Sequence, residues 1–125
     1  MASAISWFQI PCSDFARGKR FYESVLGIAL QDMQAEGMRM ASFPADPMKG
    51  EISGALVAGP GANPSAEGTV VFLNGGDDLQ APLDRVVEAG GQILVPKTKI
   101  EMEGAGYFAM ISDTEGNTVG LHSMR

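Results

Sequence analysis

Cysteine, histidine and tryptophan each occur once among the 125 residues, as Cys12, His122 and Trp7. A single cysteine excludes an internal disulfide and any thiolate-rich metal centre, and its plainest role is that of a small residue at a strand end. Basic residues are scarce: nine Lys and Arg stand against fifteen Asp and Glu, a net charge of −6. No Lys/Arg cluster forms a patch that could track phosphates, so nucleic acid is not an expected partner. Long apolar runs are absent as well. The longest, such as residues 69–73, is strand-length and far short of the roughly 20 residues a spanning helix needs, so no membrane partner is expected. Residues 1–10 lack a basic segment followed by an apolar stretch and a small-residue cleavage site, so export is not expected and the cytoplasm is the default location. What remains is ordinary: 45% hydrophobic and 19% charged residues with a mean hydropathy near zero. That composition and length describe one folded domain over residues 1–125, burying roughly two-thirds of its unfolded surface.

Residues 3–10 (SAISWFQI) mix β-formers and aromatics, and Pro11 stops them as a strand. Ser13 or Asp14 then caps a helix whose apolar positions Phe15, Phe21, Tyr22, Val25 and Leu26 recur at helical spacing, with Gly27 suited to a left-handed terminus. Extended stretches follow at 28–34, 37–43 and 51–58, separated by the turn at 35–37 and the turn-rich 44–47. Residues 59–68 (GPGANPSAEG) have the composition of a connecting loop that need not pack. Beyond them, residues 69–73 (TVVFL) have a buried-strand signature. Asp77 or Asp78 opens a second helix carrying Leu79, Leu83, Val86 and Val87 and ending at Gly90-Gly91, with regular helix delayed to about Ala81 by Pro82. Strands at 92–95, 107–112 and 118–123 complete the chain, the last two joined by the hairpin sequence Asp113-Thr114-Glu115-Gly116-Asn117.

Both halves therefore have the order βαβββ, unit one over about 3–58, a linker over 59–68 and unit two over about 69–123. Sliding the sequence by 64 puts Asp14 on Asp78, Phe15 on Leu79, Tyr22 on Val86 and Gly27 on Gly91, so caps and core positions coincide. The fold class is α+β: two tandem βαβββ units whose sheets, curved and set edge to edge, form a mixed-sheet trough.

In this order and spacing, Pro11-Cys12-Ser13-Asp14-Phe15, Phe21-Tyr22 and Val25-Leu26-Gly27, then Asp77-Asp78-Leu79, Glu88-Ala89-Gly90-Gly91 and the 113–117 turn resemble the vicinal-oxygen-chelate superfamily of glyoxalases, bleomycin-resistance proteins and extradiol dioxygenases. The resemblance spans the whole chain. It implies a divalent metal in the trough, held by His, Gln or Glu on the first strand of each unit and Glu on the last strands, and acting as a Lewis acid. Counting from the caps places those positions at Trp7, at Val71, at Gly120 and at Gly54 or Ala55. None is a ligand. Gln9, two residues along the face of Trp7, is one donor, and one donor holds neither zinc nor a hard cation. No metal and no other cofactor is therefore expected.

His122, on the face of Gly120 by strand alternation, is the one titratable base near the trough. It is either a hydrogen-bonded terminal residue or a donor or general base to a small molecule. Trp7 either stacks on a ligand or fills space that a metal occupies elsewhere. Met38, Met40 and Met110 are packing residues or part of an adaptable surface, Arg39 is an edge residue or an anion anchor, and residues 97–106 are a surface loop or a lid. The expected ligand-binding set is Trp7, Gln9, Val71, Met110, Gly120 and His122, with His122 the candidate catalytic base. The leading expectation is a small organic molecule held in the trough without metal. The alternative is a glyoxalase-like lyase or isomerase, or a dioxygenase, that is metal-independent or uses atypical ligands. The resemblance further implies a homodimer.

Overall fold

The computed structural model describes residues 3–35 and 37–125. Glu36, in the turn expected at 35–37, lies outside the described residues. Unit one runs β1 (Trp7–Pro11), α1 (Phe15–Leu26), β2 (Gln31–Ala35), β3 (Met38–Ser42) and β4 (Ser53–Ala58), with a 3-10 turn at Pro47–Lys49. Unit two runs β5 (Phe72–Asn74), α2 (Gln80–Val86), β6 (Gln92–Lys99), β7 (Tyr107–Ser112) and β8 (Thr118–Ser123). The sheets have matching orders, β1-β4-β3-β2 and β5-β8-β7-β6. In each, the first strand pairs parallel to the last and the remaining pairs are antiparallel. This is the tandem βαβββ α+β architecture expected from the sequence.

Helix α1 follows its sequence signals closely. The Asp14 carboxylate accepts the Arg17 N–H at 3.1 Å, and Gly27 closes the helix at φ 66° with its N–H on the Glu23 carbonyl. That φ belongs to the left-handed region, where glycine carries no Cβ penalty. Helix α2 is only seven residues long. Pro82 is tolerated there because it stands within the first turn, where a backbone N–H has no intrahelical partner. Strand β6 extends to Lys99, four residues past the expected end, so part of the polar 97–106 segment is strand.

Both helices bury their apolar stripes into one core. Phe21, Tyr22 and Val25 of α1 and Leu79, Leu83 and Val86 beside or on α2 pack with Ile10, Leu56, Leu73, Ile111 and Leu121 from the two sheets. Arg85 ties the helices together, its Nε donating to the Val25 carbonyl at 3.0 Å. A cation at the last turn of α1 also favours the negative end of that helix. Each sheet thus gives one face to the common core and turns the other outward.

Candidate functional site

Strand alternation and the register decide what each outward face carries. In unit one, Trp7 lies opposite Ser53 and Gln9 opposite Ala55, while Met40 and Ser42 of β3 lie opposite Val57 and Ala55. Gly54 belongs to the other face, where Phe8 covers it so closely that a Cβ there would enter the ring. In unit two, Phe72 lies opposite Gly120 and Asn74 opposite His122, with Met110 and Phe108 next along the sheet.

Five of the six expected ligand-binding residues, Trp7, Gln9, Met110, Gly120 and His122, therefore stand on outward faces. Val71 does not. It packs against the core, because Ile10 opposite Leu56 corresponds to Leu73 opposite Leu121. The strand register is thus one residue out of step with the helix register that links Asp14 to Asp78. Its outward-facing neighbour on the strand is Phe72, 52% exposed, which corresponds to Gln9 of unit one. Arg39 is likewise on the helix side, its guanidinium 4.3 Å from the centroid of Phe15, so it does not reach toward the outward face.

Each face carries a cleft of its own. A cleft of about 390 Å³ on unit one is lined by Trp7, Gln31, Met33, Ser42 and Ser53. A separate cleft of about 650 Å³ on unit two is lined by Phe72, Asn74, Asp77, His122 and Met124. The structure brings Trp7 near Gln9 in one unit and Met110, Gly120 and His122 together in the other, and each group sits on its own sheet.

The outward face of unit two is aromatic around Gly120. The ring of Phe72 lies across Gly120 so closely that a Cβ there would have to push it aside, and Phe108 stacks against it edge to face with centroids 6.5 Å apart. An aromatic side chain thus occupies the space into which a carboxylate at 120 would project. Among the described residues, no three His, Cys, Asp or Glu side chains come together as a metal site. His122 Nε2 lies 2.6 Å from the Ala105 carbonyl. A carbonyl can only accept, so in the neutral ring Nε2 holds the proton and Nδ1 the lone pair. The same bond pins the 100–106 loop to β8.

The most concentrated polar chemistry lies elsewhere, in the turn at 113–117, which reaches from unit two to the start of α1. Asp113 is buried and accepts four hydrogen bonds: from the Tyr22 hydroxyl at 2.7 Å, from Asn117 Nδ2 at 2.9 Å, and from the Glu115 and Asn117 N–H groups. Glu115 accepts the Ser13 and Asp14 N–H groups at 3.0 and 2.8 Å and pairs with Arg17 at 2.7 Å. Burial pushes its carboxyl upward, but the bonds from Arg17, Asp14, Thr114 and Ser13 outweigh that and hold it at about 2. Asn117 Nδ2 also donates to the Pro11 carbonyl at 2.7 Å, and its Oδ1 accepts the Ser65 N–H at 3.1 Å, so the linker is tied down too. Burial, with the charges of Glu115 and Asp113, pushes the Cys12 thiol up to about 11, which keeps it a thiol at neutral pH and removes it as a nucleophile. The sequence shows this turn only as a hairpin signal. The clue available was its polar density, three hydrogen-bonding side chains alternating in five residues.

Comparison with known proteins agrees with this architecture. The pattern of the Glyoxalase/Bleomycin resistance protein/Dioxygenase superfamily matches residues 4–121. CFP32 of Mycobacterium bovis, provisionally described as a glyoxylase, is 30% identical over 123 residues. The match covers 93% of this chain and 44% of that protein, so the chain spans less than half the length of this relative. TnmS3, an antibiotic binding protein from Streptomyces sp. CB03234, is 29% identical in its crystal structure, with a TM-score of 0.62 covering 98% of this chain and 97% of that one. A family enzyme from Burkholderia phytofirmans PsJN shares the fold at 16% identity, with a TM-score of 0.67 over 96% of this chain and 98% of its own. From its repeated units to the 113–117 turn, this chain belongs to the glyoxalase/bleomycin resistance protein/dioxygenase superfamily.

Proposed function

We propose that this protein binds a small organic molecule on its outward sheet faces without using a metal ion. The observation that carries the reading is the ring of Phe72 lying across Gly120: this face offers stacking surface where the superfamily's chemistry needs a carboxylate. Trp7, 41% exposed on the other face, offers a second such surface. Flat apolar ligands gain from aromatic faces of this kind. The likeness to TnmS3 makes antibiotics the first ligand class to try. We further propose that a second copy of the chain covers the outward faces, which leave the large apolar side chains Trp7, Met33 and Phe72 exposed, as interaction surfaces do. The test is elemental analysis of the purified protein combined with a thermal-shift screen of aromatic antibiotics and sedimentation equilibrium. Metal-free protein stabilised by one ligand class is the expected result, and a tightly bound stoichiometric metal overturns it.

A second reading, a metal-independent lyase or isomerase, rests on His122. Its imidazole is held by Ala105 through Nε2, which leaves Nδ1 as the nitrogen that could accept a proton from a substrate. Turnover that is indifferent to chelators and lost in His122→Ala would establish it. Activity unchanged by that substitution would remove it.

A further inference from the structure

The two units meet along a seam whose ends correspond through the repeat. At one end the β7–β8 turn inserts Glu115 against the start of α1 and closes the gap with hydrogen bonds. At the other end the corresponding pieces are the β3–β4 connection, residues 43–52, and the approach to α2, residues 73–78. Here the connection keeps its polar groups to itself: Glu51 accepts the Asp46 N–H at 2.7 Å, and Asp46 accepts that of Met48 at 2.9 Å. Among the described residues no hydrogen bond spans this gap, and a cavity of about 330 Å³ remains between Phe8, Leu26, Ile28, Phe43 and Ile52 on one side and the backbone of Gly75 and Gly76 on the other. A Cβ added at Gly76 would meet no atom within 4 Å. The volume is at the lower end of what small-molecule sites enclose, enough for one or two fused rings.

The charge around the opening narrows the ligand. Leu73, Asn74 and Gly76 line both this cavity and the adjoining 650 Å³ cleft, where Asp77 stands. No Lys or Arg lines either space, and among the described residues Asp77 takes no part in an ion pair. The Asn74 side chain turns its oxygen to the Gly76 N–H at 2.9 Å. We propose that this open end of the seam is a separate binding pocket for an aromatic molecule of one or two rings, uncharged or carrying an amine that reaches Asp77. The pocket lies on the helix side of the unit-one sheet, so it goes beyond the outward-face reading and does not depend on it.

The experiment titrates ¹⁵N-labelled protein with 2-(1-naphthyl)ethylamine and, in parallel, 1-naphthaleneacetate, which share a ring system and differ in the sign of charge. The amine saturates the amide shifts of Gly75 and Gly76. It binds about tenfold more tightly than the acid, because attraction of one and repulsion of the other by an exposed carboxylate each contribute about threefold. Asp77→Asn brings the two probes together, and Ile52→Trp, which fills the cavity, weakens both by about tenfold. Absence of saturable binding by either probe overturns the proposal. So do shifts at Gly120 and Met110 instead of Gly75 and Gly76, or an amine preference that survives Asp77→Asn. The last two outcomes leave the outward-face reading standing.

Discussion

The turn at 113–117 and the connection at 43–52 hold equivalent places in the two units, yet one seals its end of the seam and the other leaves it open. The difference is where each spends its hydrogen bonds. The five-residue turn satisfies Asp113 partly within itself, but its side chains also reach across, Asp113 to Tyr22, Glu115 to Ser13 and Arg17, and Asn117 to Pro11 in the other unit. The longer connection forms its own 3-10 turn and satisfies Asp46 and Glu51 locally. Similar topology thus gives a polar latch at one end and an apolar hollow at the other. A buried polar network stabilises only when every member is paired, and among the described residues no buried side-chain nitrogen or oxygen lacks a partner.

The largest way to break this contrast is to empty the latch. Asp113→Ala leaves the Tyr22 hydroxyl and the Glu115 and Asn117 N–H groups without their acceptor and takes one of two acceptors from Asn117 Nδ2, and each buried orphan is costly. The expected loss is about 4 kcal/mol of unfolding free energy, measured by urea denaturation. A loss below about 1 kcal/mol would show the turn to be an ordinary hairpin.

Next comes pH. The Glu115 carboxyl falls from an ordinary value of 4.5 to about 2 in the folded chain, so the unfolded chain takes up its proton first as the solution is acidified. The stabilisation is complete above pH 4.5 and drains away between 4.5 and 2. A depression of this size corresponds to about 3 kcal/mol. The slope of stability against pH in that window should flatten in Glu115→Gln. An unchanged slope would place the acid sensitivity on other carboxylates.

These residues also mark what the sequence could and could not reveal. Helix α1 was legible because its signals are local: the Asp14 cap, the apolar spacing and Gly27 act within one turn of where they stand. Strands β7 and β8 match their expected bounds for the same reason, with clean alternation and a short turn between them. The placement of Val71 was not legible. Counting back from the Asp77-Asp78 cap assumes equal spacing from strand to cap in both units, and the true offset is fixed by the pairing of Leu73 with Leu121. The latch and the open end of the seam were hidden because both are contacts between residues up to 106 positions apart. Of the site, the residue type at each strand position was legible, while the covering of Gly120 by Phe72 depends on how the two strands pair and was not.

That covering supplies the third comparison, between the outer faces. Gln9 opposite Ala55 in unit one corresponds to Phe72 opposite Gly120 in unit two. Alanine is accommodated at 55, whereas Gly120→Ala forces the Phe72 ring aside. The expected cost is about 1–2 kcal/mol, an overpacking effect softened by the ring's exposure. Combining it with Phe72→Ala should abolish the added cost, because the clash then has no second party. Additive losses in the double variant would locate the strain in the backbone of β8 instead.

The smallest effect is expected at the open end. Ile52 is a large apolar residue, yet it is 40% exposed at the rim of the hollow and no polar partner depends on it. On the neighbouring strand β4, Leu56 is fully buried in the common core, and its truncation to alanine would cost about 2–5 kcal/mol. Ile52→Ser should cost less than about 0.5 kcal/mol, since the side chain leaves a space already open to water and creates no new cavity. Thermal unfolding of the two variants side by side measures the contrast. If Ile52→Ser approached Leu56→Ala in cost, the hollow would be closed in solution, with Ile52 folded inward over Phe8 and Phe43, and the two ends of the seam would differ in chemistry but not in packing.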